Sequence, residues 1–330
     1  MPATTDELTW FGERFAVISD NIELVIQGKR ETVELVASCL IAGGHALIED
    51  VPGVGKTLLA KSLARSIDCS FQRIQFTPDL LPSDVTGVSV WDREDGDFVF
   101  RPGPVFANVI LGDEINRASP KTQAALLEAM EERQVTVDGT TRTLGPPFIV
   151  IATQNPIEQH GTYPLPEAQV DRFLFKLIVG YSDRGQLKTI LERTTTGYEP
   201  GIQPVMTGEQ IITAQELVKR IVMAPHVEDY IIRMVLATHP SGMFATPTVN
   251  KYVRWGASPR GAQAMTLAAK IYAMLDGRYN VSFEDVKRGV LPSLRHRLLL
   301  NFEGEAEGLS TDFVLNDILD TLPQMAEEAA

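Results

Sequence analysis

The chain has 330 residues, 44% of them hydrophobic and 22% charged, which is ordinary for a globular protein and sets an expectation of about two domains. A formal net charge of −13 argues against a dedicated nucleic-acid binder, because phosphate contacts need a basic surface. Two isolated cysteines, Cys39 and Cys69, form neither a metal-ligand pattern nor a disulfide framework, and the longest uncharged apolar run, 35–48, is too short to span a membrane. Both thiols read as buried in apolar helical surroundings. Residues 1–20 lack a signal-peptide pattern, so the expected location is cytoplasmic.

In chain order, residues 8–26 read as an amphipathic helix broken by Gln27-Gly28-Lys29. A second helix over 31–42 closes at Gly43-Gly44, which suits a C-cap. Then the apolar run Ala46-Leu47-Ile48 enters Glu49-Asp50-Val51-Pro52-Gly53-Val54-Gly55-Lys56-Thr57-Leu58. Leu59, Leu63 and Ile67 follow at helical spacing. The reading is strand, Gly-rich loop, helix. Such a loop turns its backbone N–H groups inward, at a helix end whose dipole favours an anion. Residues 50–58 are therefore the candidate phosphate cradle. Lys56 supplies a point charge for the β- and γ-phosphates, and the Thr57 hydroxyl a ligand for Mg²⁺. The general pattern opens with Gly where this chain has Asp50, and Asp tolerates left-handed backbone angles better than most residues.

Phe71–Phe76 alternates apolar and polar and reads as a strand. Residues 77–104, rich in Pro, Gly and Asp, read as a turn-rich insertion with short strands around 89–91 and 98–100. Asn108–Glu114 is a buried strand ending in two carboxylates, followed by a helix over 121–132 and a hairpin over 134–143 around Asp138-Gly139. Phe148–Thr153 is an apolar strand that ends at Gln154-Asn155-Pro156, and 174–179 is another. Strands alternating with helices imply a parallel α/β sheet, whose ligands sit at the carboxyl ends of its strands. The features at 50–57, 113–114 and 155 all fall there. Asp113 would hold Mg²⁺, Glu114 would polarise the attacking water, and Asn155 would place an amide between that water and the γ-phosphate. Alone, Asp-Glu is a pair of solvated acids and Asn-Pro a turn. The cradle upstream tips both toward nucleotide chemistry.

Residues 197–204 are the best linker, and the pattern beyond them is purely helical. A helix over 260–275 is closed by Gly277, another starts at Ser282 with Asp285 as its capping box, and the acidic tail after Leu322 reads as frayed. The five histidines are scattered and read as exposed or satisfied core residues. Phosphoryl transfer spreads negative charge over equatorial oxygens, so an added guanidinium helps. Arg172 is one candidate, against the alternative of a surface ion pair with Asp171. Arg260, at a helix start where a cation is disfavoured, makes more sense beside a phosphate. Arg117 is a second candidate for an arginine finger.

These residues together resemble the AAA+ ATPases and, within them, the MoxR group. The resemblance covers nearly the whole chain. It rests on the strings 49–57, Gly112-Asp113-Glu114-Ile115-Asn116-Arg117-Ala118-Ser119-Pro120-Lys121-Thr122-Gln123, Ala152–Pro156, Tyr163–Phe173 and Ala257-Ser258-Pro259-Arg260-Gly261. It implies an α/β P-loop nucleotide domain over about 1–200 and a smaller all-α lid over 205–330, with ATP and Mg²⁺ between them. It implies Walker A at 50–57, Walker B at 113–114, sensor 1 at Asn155, an arginine finger at Arg172 and sensor 2 at Arg260. The insertion at 77–104 matches the family's helix-2 insert, and the 134–143 hairpin its pre-sensor-1 hairpin. A trans finger implies a homo-oligomer, by resemblance a hexameric ring. Family members remodel or mature client proteins, often with von Willebrand factor A domain partners. Two rivals stand beside this reading. One is a nucleic-acid motor, opposed by the acidic chain and by Asp138 in the hairpin. The other is a nucleotide-gated scaffold, opposed by an intact Glu114.

Overall fold

The structure, a computed structural model, describes residues 3–26, 28–50, 55–94, 96–155, 161–180, 184–194 and 201–325. The first elements are α1 (Thr5–Glu23), α2 (Arg30–Ile41), β1 (Ala46–Asp50), α3 (Lys56–Ser66), β2 (Phe71–Gln75), α4 (Pro82–Thr86), β3 (Gly87–Asp92) and β4 (Asp97–Pro102). Next come β5 (Val109–Asp113), α5 (Pro120–Glu132), β6 (Gln134–Val137), β7 (Thr140–Thr143), β8 (Ile149–Gln154), α6 (Glu167–Val170), β9 (Phe175–Val179) and α7 (Arg184–Thr194). The remainder is α8 (Gly208–Lys219), α9 (Pro225–Ala237), α10 (Pro247–Tyr252), β10 (Val253–Trp255), α11 (Pro259–Leu275), α12 (Phe283–Leu294), β11 (Leu299–Leu300), α13 (Phe302–Ala306) and α14 (Thr311–Thr321).

Five strands form one sheet in the order β2-β5-β8-β1-β9. The pairings β2·β5, β5·β8 and β1·β8 are parallel. Every residue of β5 is buried, as expected of an inner parallel strand whose run Val109-Ile110-Leu111 is covered on both faces. The register sets Gln75 opposite Asp113, Gly112 opposite Ala152, and Ile48 opposite Thr153. The carboxyl ends of β2, β5, β8 and β1 therefore lie side by side, and the expected parallel α/β architecture is present.

Close contacts divide the chain into two compact units. One comprises 14–169 and 177–213 and holds the β2-β5-β8-β1 ladder; the other comprises 1–13, 170–176 and 214–330. In the second unit α11 packs against α12 and α9. Ser282 caps α12 through the expected reciprocal bonds with Asp285. This part is not purely helical: β10 and β11 form a small antiparallel ribbon with Val253 opposite Leu300. Strands of two and three residues are too short to leave a period in the sequence. The insertion after β2 is more regular than its composition indicates. It holds α4 and a full β3–β4 hairpin, paired from Gly87–Pro102 to Asp92–Asp97, with Trp91 and Phe98 edge-to-face at 5.2 Å. The hairpin at 134–143 is also formed, with Gln134 opposite Thr143.

Both thiols are free, but Cys69 lies past the end of α3 and is only half-buried, unlike Cys39. The start of the acidic tail is held rather than frayed. Buried Arg233 donates to the carbonyls of Pro323 and Gln324 at 2.6 and 2.7 Å. Residues 326–330 lie outside the described residues. No helix among the described residues is long and apolar enough to cross a membrane.

His45, just before β1, is a satisfied core histidine. Its Nδ1 accepts from the Val150 backbone N–H at 2.9 Å, which puts the proton on Nε2, 3.2 Å from the Met130 carbonyl. Burial is the main force holding its pKa down, to about 3, with the nearby Arg133 charge adding to it. The unfolded chain then binds a proton that the folded chain refuses. Stability is full above the ordinary histidine pKa and falls as the pH drops toward 3. Between pH 7 and 4.5 the loss expected from this one side chain is about 2–3 kcal/mol. Urea unfolding at the two pH values should show it, and His45→Gln should flatten the dependence by that amount while lowering stability at pH 7.

Candidate active site

Gly55 caps α3 at φ 85°, a left-handed angle natural to glycine, and delivers Lys56 and Thr57 into the first turn of the helix. No side chain caps this end and no acidic residue lies in the first turn. The orphan N–H groups that a helix start leaves are thus not taken by a capping side chain. Val51, Pro52, Gly53 and Val54, with the side chain of Asp50, lie outside the described residues. Leu58 is largely exposed on the same turn.

Next to Lys56 is a small open hollow with room for little more than one water, lined also by Ile26, Lys29, Thr32, Ile48, Leu59 and Val179. Chain spacing does not announce it, since its walls come from four separate stretches of the chain, 26–32, 48, 56–59 and 179. Ile26, Ile48, Leu59 and Val179 make its lining aliphatic, and Lys29, Thr32 and Lys56 add polar atoms.

At the end of β5 the two carboxylates are held by different partners. The Thr153 hydroxyl donates to Asp113 Oδ1 at 2.7 Å and accepts the Glu114 backbone N–H at 2.9 Å. Arg73 donates to Asp113 Oδ2 through Nε at 3.1 Å and Nη2 at 2.6 Å. Glu114 sits in the left-handed region, φ 56° and ψ 50°, a conformation that costs a non-glycine residue about 1–2 kcal/mol. Its Oε2 accepts from Gln75 Nε2 and from Arg117 Nη1, both at 2.9 Å. The bend re-aims the carboxylate away from the strand direction. Asn155 is buried just past β8, the strand next to β5. Gln123 ties the following segment down, donating to the carbonyls of Ile115, Ala118 and Tyr163.

Arg73, Gln75 and Thr153 were not singled out in the sequence. The available signal is the alternation of Phe71–Phe76, which puts Arg73 and Gln75 on one face of an edge strand. Arg117, a candidate finger by sequence, here contacts Glu114.

The other two arginines belong to the second unit. Arg260 is the second residue of α11, behind the Ser258 cap. Asp171 does not serve mainly as a surface partner for its neighbour. It accepts from Ser258 Oγ at 2.8 and 2.9 Å and from Arg297 Nε at 2.8 Å, and lies 3.6 Å from Arg260 Nη1. Arg297 is almost fully buried and also donates to the backbone carbonyls of Asp171, Phe173, Leu174 and Ser293. His296 contacts the Phe173 carbonyl, and Arg295 donates to that of Lys176. Three consecutive residues thus hold the segment that carries half-buried Arg172.

The donor set fits a magnesium ion carried by phosphates. Asp113 and Thr57 offer hard oxygens, and no group of three or more His, Cys, Asp or Glu side chains among the described residues could hold a metal unaided. Magnesium suits such a site, because it commonly takes one or two protein oxygens and completes its shell with phosphate and water.

Residues 45–175 match the model of the ATPase family associated with various cellular activities, and residues 247–318 match that of the AAA lid domain. The chain is 44% identical over 314 residues to the uncharacterised protein YeaC of Bacillus subtilis, covering 94% of this chain and 95% of the relative. It is 41% identical over 306 residues to Chaperone MoxR1 of Mycobacterium tuberculosis, covering 92% of this chain and 81% of the relative. The crystal structure of a candidate ATPase from Cytophaga hutchinsonii matches with a TM-score of 0.91 and 37% identity over 98% of both chains. With the helix N-terminus at Lys56 and the paired carboxylates of β5 in one parallel sheet, these likenesses have one reading: the chain belongs to the MoxR family of AAA+ ATPases.

Proposed function

We propose that the protein binds ATP with Mg²⁺ at the carboxyl ends of β1, β5 and β8, hydrolyses it, and uses the cycle to remodel client proteins as a homo-oligomeric ring, most simply a hexamer. The observation that carries this reading is the strand end at 113–114, where two adjacent carboxylates are held by different partners. Asp113 is fixed by Thr153 as a metal ligand would be. Glu114 is bent aside on a left-handed residue, which suits a group that must reach a water. Lys56, Thr57 and the loop 50–55 hold the phosphates. Magnesium, when bound, supplies charge neutralisation at the β- and γ-phosphates. Asn155 orients the attacking water, Arg260 reports the γ-phosphate to the helical unit, and Arg172 acts on a neighbour's nucleotide. The client role is supported by the chaperone name of the Mycobacterium relative. A von Willebrand factor A domain protein is the partner class this reading favours.

Lys56→Ala tests the site directly. A charged hydrogen-bonding partner to a phosphate is worth about 1.5–3 kcal/mol, so ATP affinity should fall roughly 10- to 150-fold. Calorimetric titration of ATP into both proteins measures it, and equal affinities would place the nucleotide elsewhere.

A further inference from the structure

Arg73 is placed where a metal ion would compete with it. Its side chain leaves the edge strand β2 and puts two N–H donors on Asp113 Oδ2, at 3.1 and 2.6 Å. Thr153 occupies the other oxygen at 2.7 Å. Both oxygens of the candidate metal ligand thus already accept hydrogen bonds from the chain itself, two of them on Oδ2. The Asp113 side chain is 12% exposed, so few waters can share it, whereas the Arg73 side chain is 45% exposed and has solvent to swing into. The same guanidinium donates to Gln75 Oε1, and Gln75 donates to Glu114, which Arg117 also neutralises. Two cations and two carboxylates leave the cluster without excess negative charge. A bare divalent ion gains little from approaching it.

We propose that Arg73 is an internal counter-ion that must leave Asp113 before Mg²⁺ can be ligated, and that it thereby sets how much Mg²⁺ the protein needs to bind nucleotide. The inference rests on the nucleotide reading above and adds a residue to it. The guanidinium and the metal want the same lone pairs, because the two N–H donors of Arg73 fill both lone pairs of Oδ2 and leave no room on that oxygen for a metal. Removing the guanidinium removes a competitor but also bares a carboxylate toward the phosphates. The effect on nucleotide binding therefore has opposite signs with and without metal. A role in fold stability alone produces no such reversal.

The test measures binding of a fluorescent, slowly hydrolysed ATP analogue to the full chain, in EDTA and along an Mg²⁺ titration. For Arg73→Gln the half-saturating Mg²⁺ concentration should fall about tenfold, the scale of one charge-assisted hydrogen-bonded contact, while affinity in EDTA falls. Arg73→Lys keeps the charge and should stay near the parent, which guards against a folding artefact. In an Asp113→Asn background the Arg73→Gln shift should vanish, since the two side chains then have no charge pair to couple. An unchanged or raised Mg²⁺ requirement in Arg73→Gln, or a shift that survives Asp113→Asn, overturns the proposal while leaving the nucleotide site intact. If the parent protein binds no analogue with or without Mg²⁺, the nucleotide reading fails and the proposal falls with it.

Discussion

Glu114→Gln is expected to lower ATP turnover by roughly 10²–10⁴-fold, the usual worth of a positioned general base, while ATP still binds. The amide has nearly the shape of the carboxylate, and the backbone bond from the Glu114 N–H to Thr153 does not depend on the side chain. The left-handed turn is equally available to it. What the amide cannot do is accept a proton from water. It also loses the charge that pairs with Arg117 at 2.9 Å, so Arg117 should become more mobile. Because the pair is partly exposed, that loss costs little stability. Single-turnover hydrolysis and equilibrium ATP binding separate the outcomes. A variant that hydrolyses at the parent rate removes Glu114 from the chemistry. A variant that no longer binds ATP makes it a binding residue instead.

The second large effect is expected at Arg172. Charge stabilisation by a finger supplied from a neighbour is worth about 10³–10⁵ in rate. Arg172→Ala should remove most turnover and leave nucleotide affinity of the isolated subunit within a few fold. The structure supplies a reason to expect a clean result. The segment bearing Arg172 is held through its backbone, by Arg297 to the carbonyls of Asp171, Phe173 and Leu174 and by Arg295 to Lys176. Truncating the Arg172 side chain leaves those bonds in place. The decisive measurement is mixing. Arg172→Ala subunits and Glu114→Gln subunits are each nearly inactive alone. In a mixed ring some interfaces join an intact Glu114 to an intact Arg172, so activity should partly return. Native mass spectrometry establishes that mixed rings form. If they form and stay inactive, Arg172 is not a trans finger, and Arg117 is the next to test by the same mixture.

The sequence alone determined the features that are local. Gly55-Lys56-Thr57 after an apolar run states a strand, a turn and a helix start, because the turn needs glycine and the helix needs its period. The run Val109-Ile110-Leu111 before Asp113 and Glu114 states an inner strand with acids at its end, because only a strand covered on both faces is apolar at every position. Ser282 and Asp285 state a helix start, because the capping bonds span three residues. All of these depend on neighbours in the chain. Tertiary structure alone decided who meets across elements. Arg73 reaches Asp113 because β2 pairs with β5 in a register that sets Gln75 opposite Asp113, forty residues away in sequence for the contact itself. Thr153 reaches the same carboxylate because β8 lies on the other side of β5. Asp171 turns from Arg172 toward Arg297 and Ser258 because its segment groups with the helical unit. Periodicity records which face of an element is apolar; it does not record which element will lie against that face, and both carboxylates acquire their partners from that second choice.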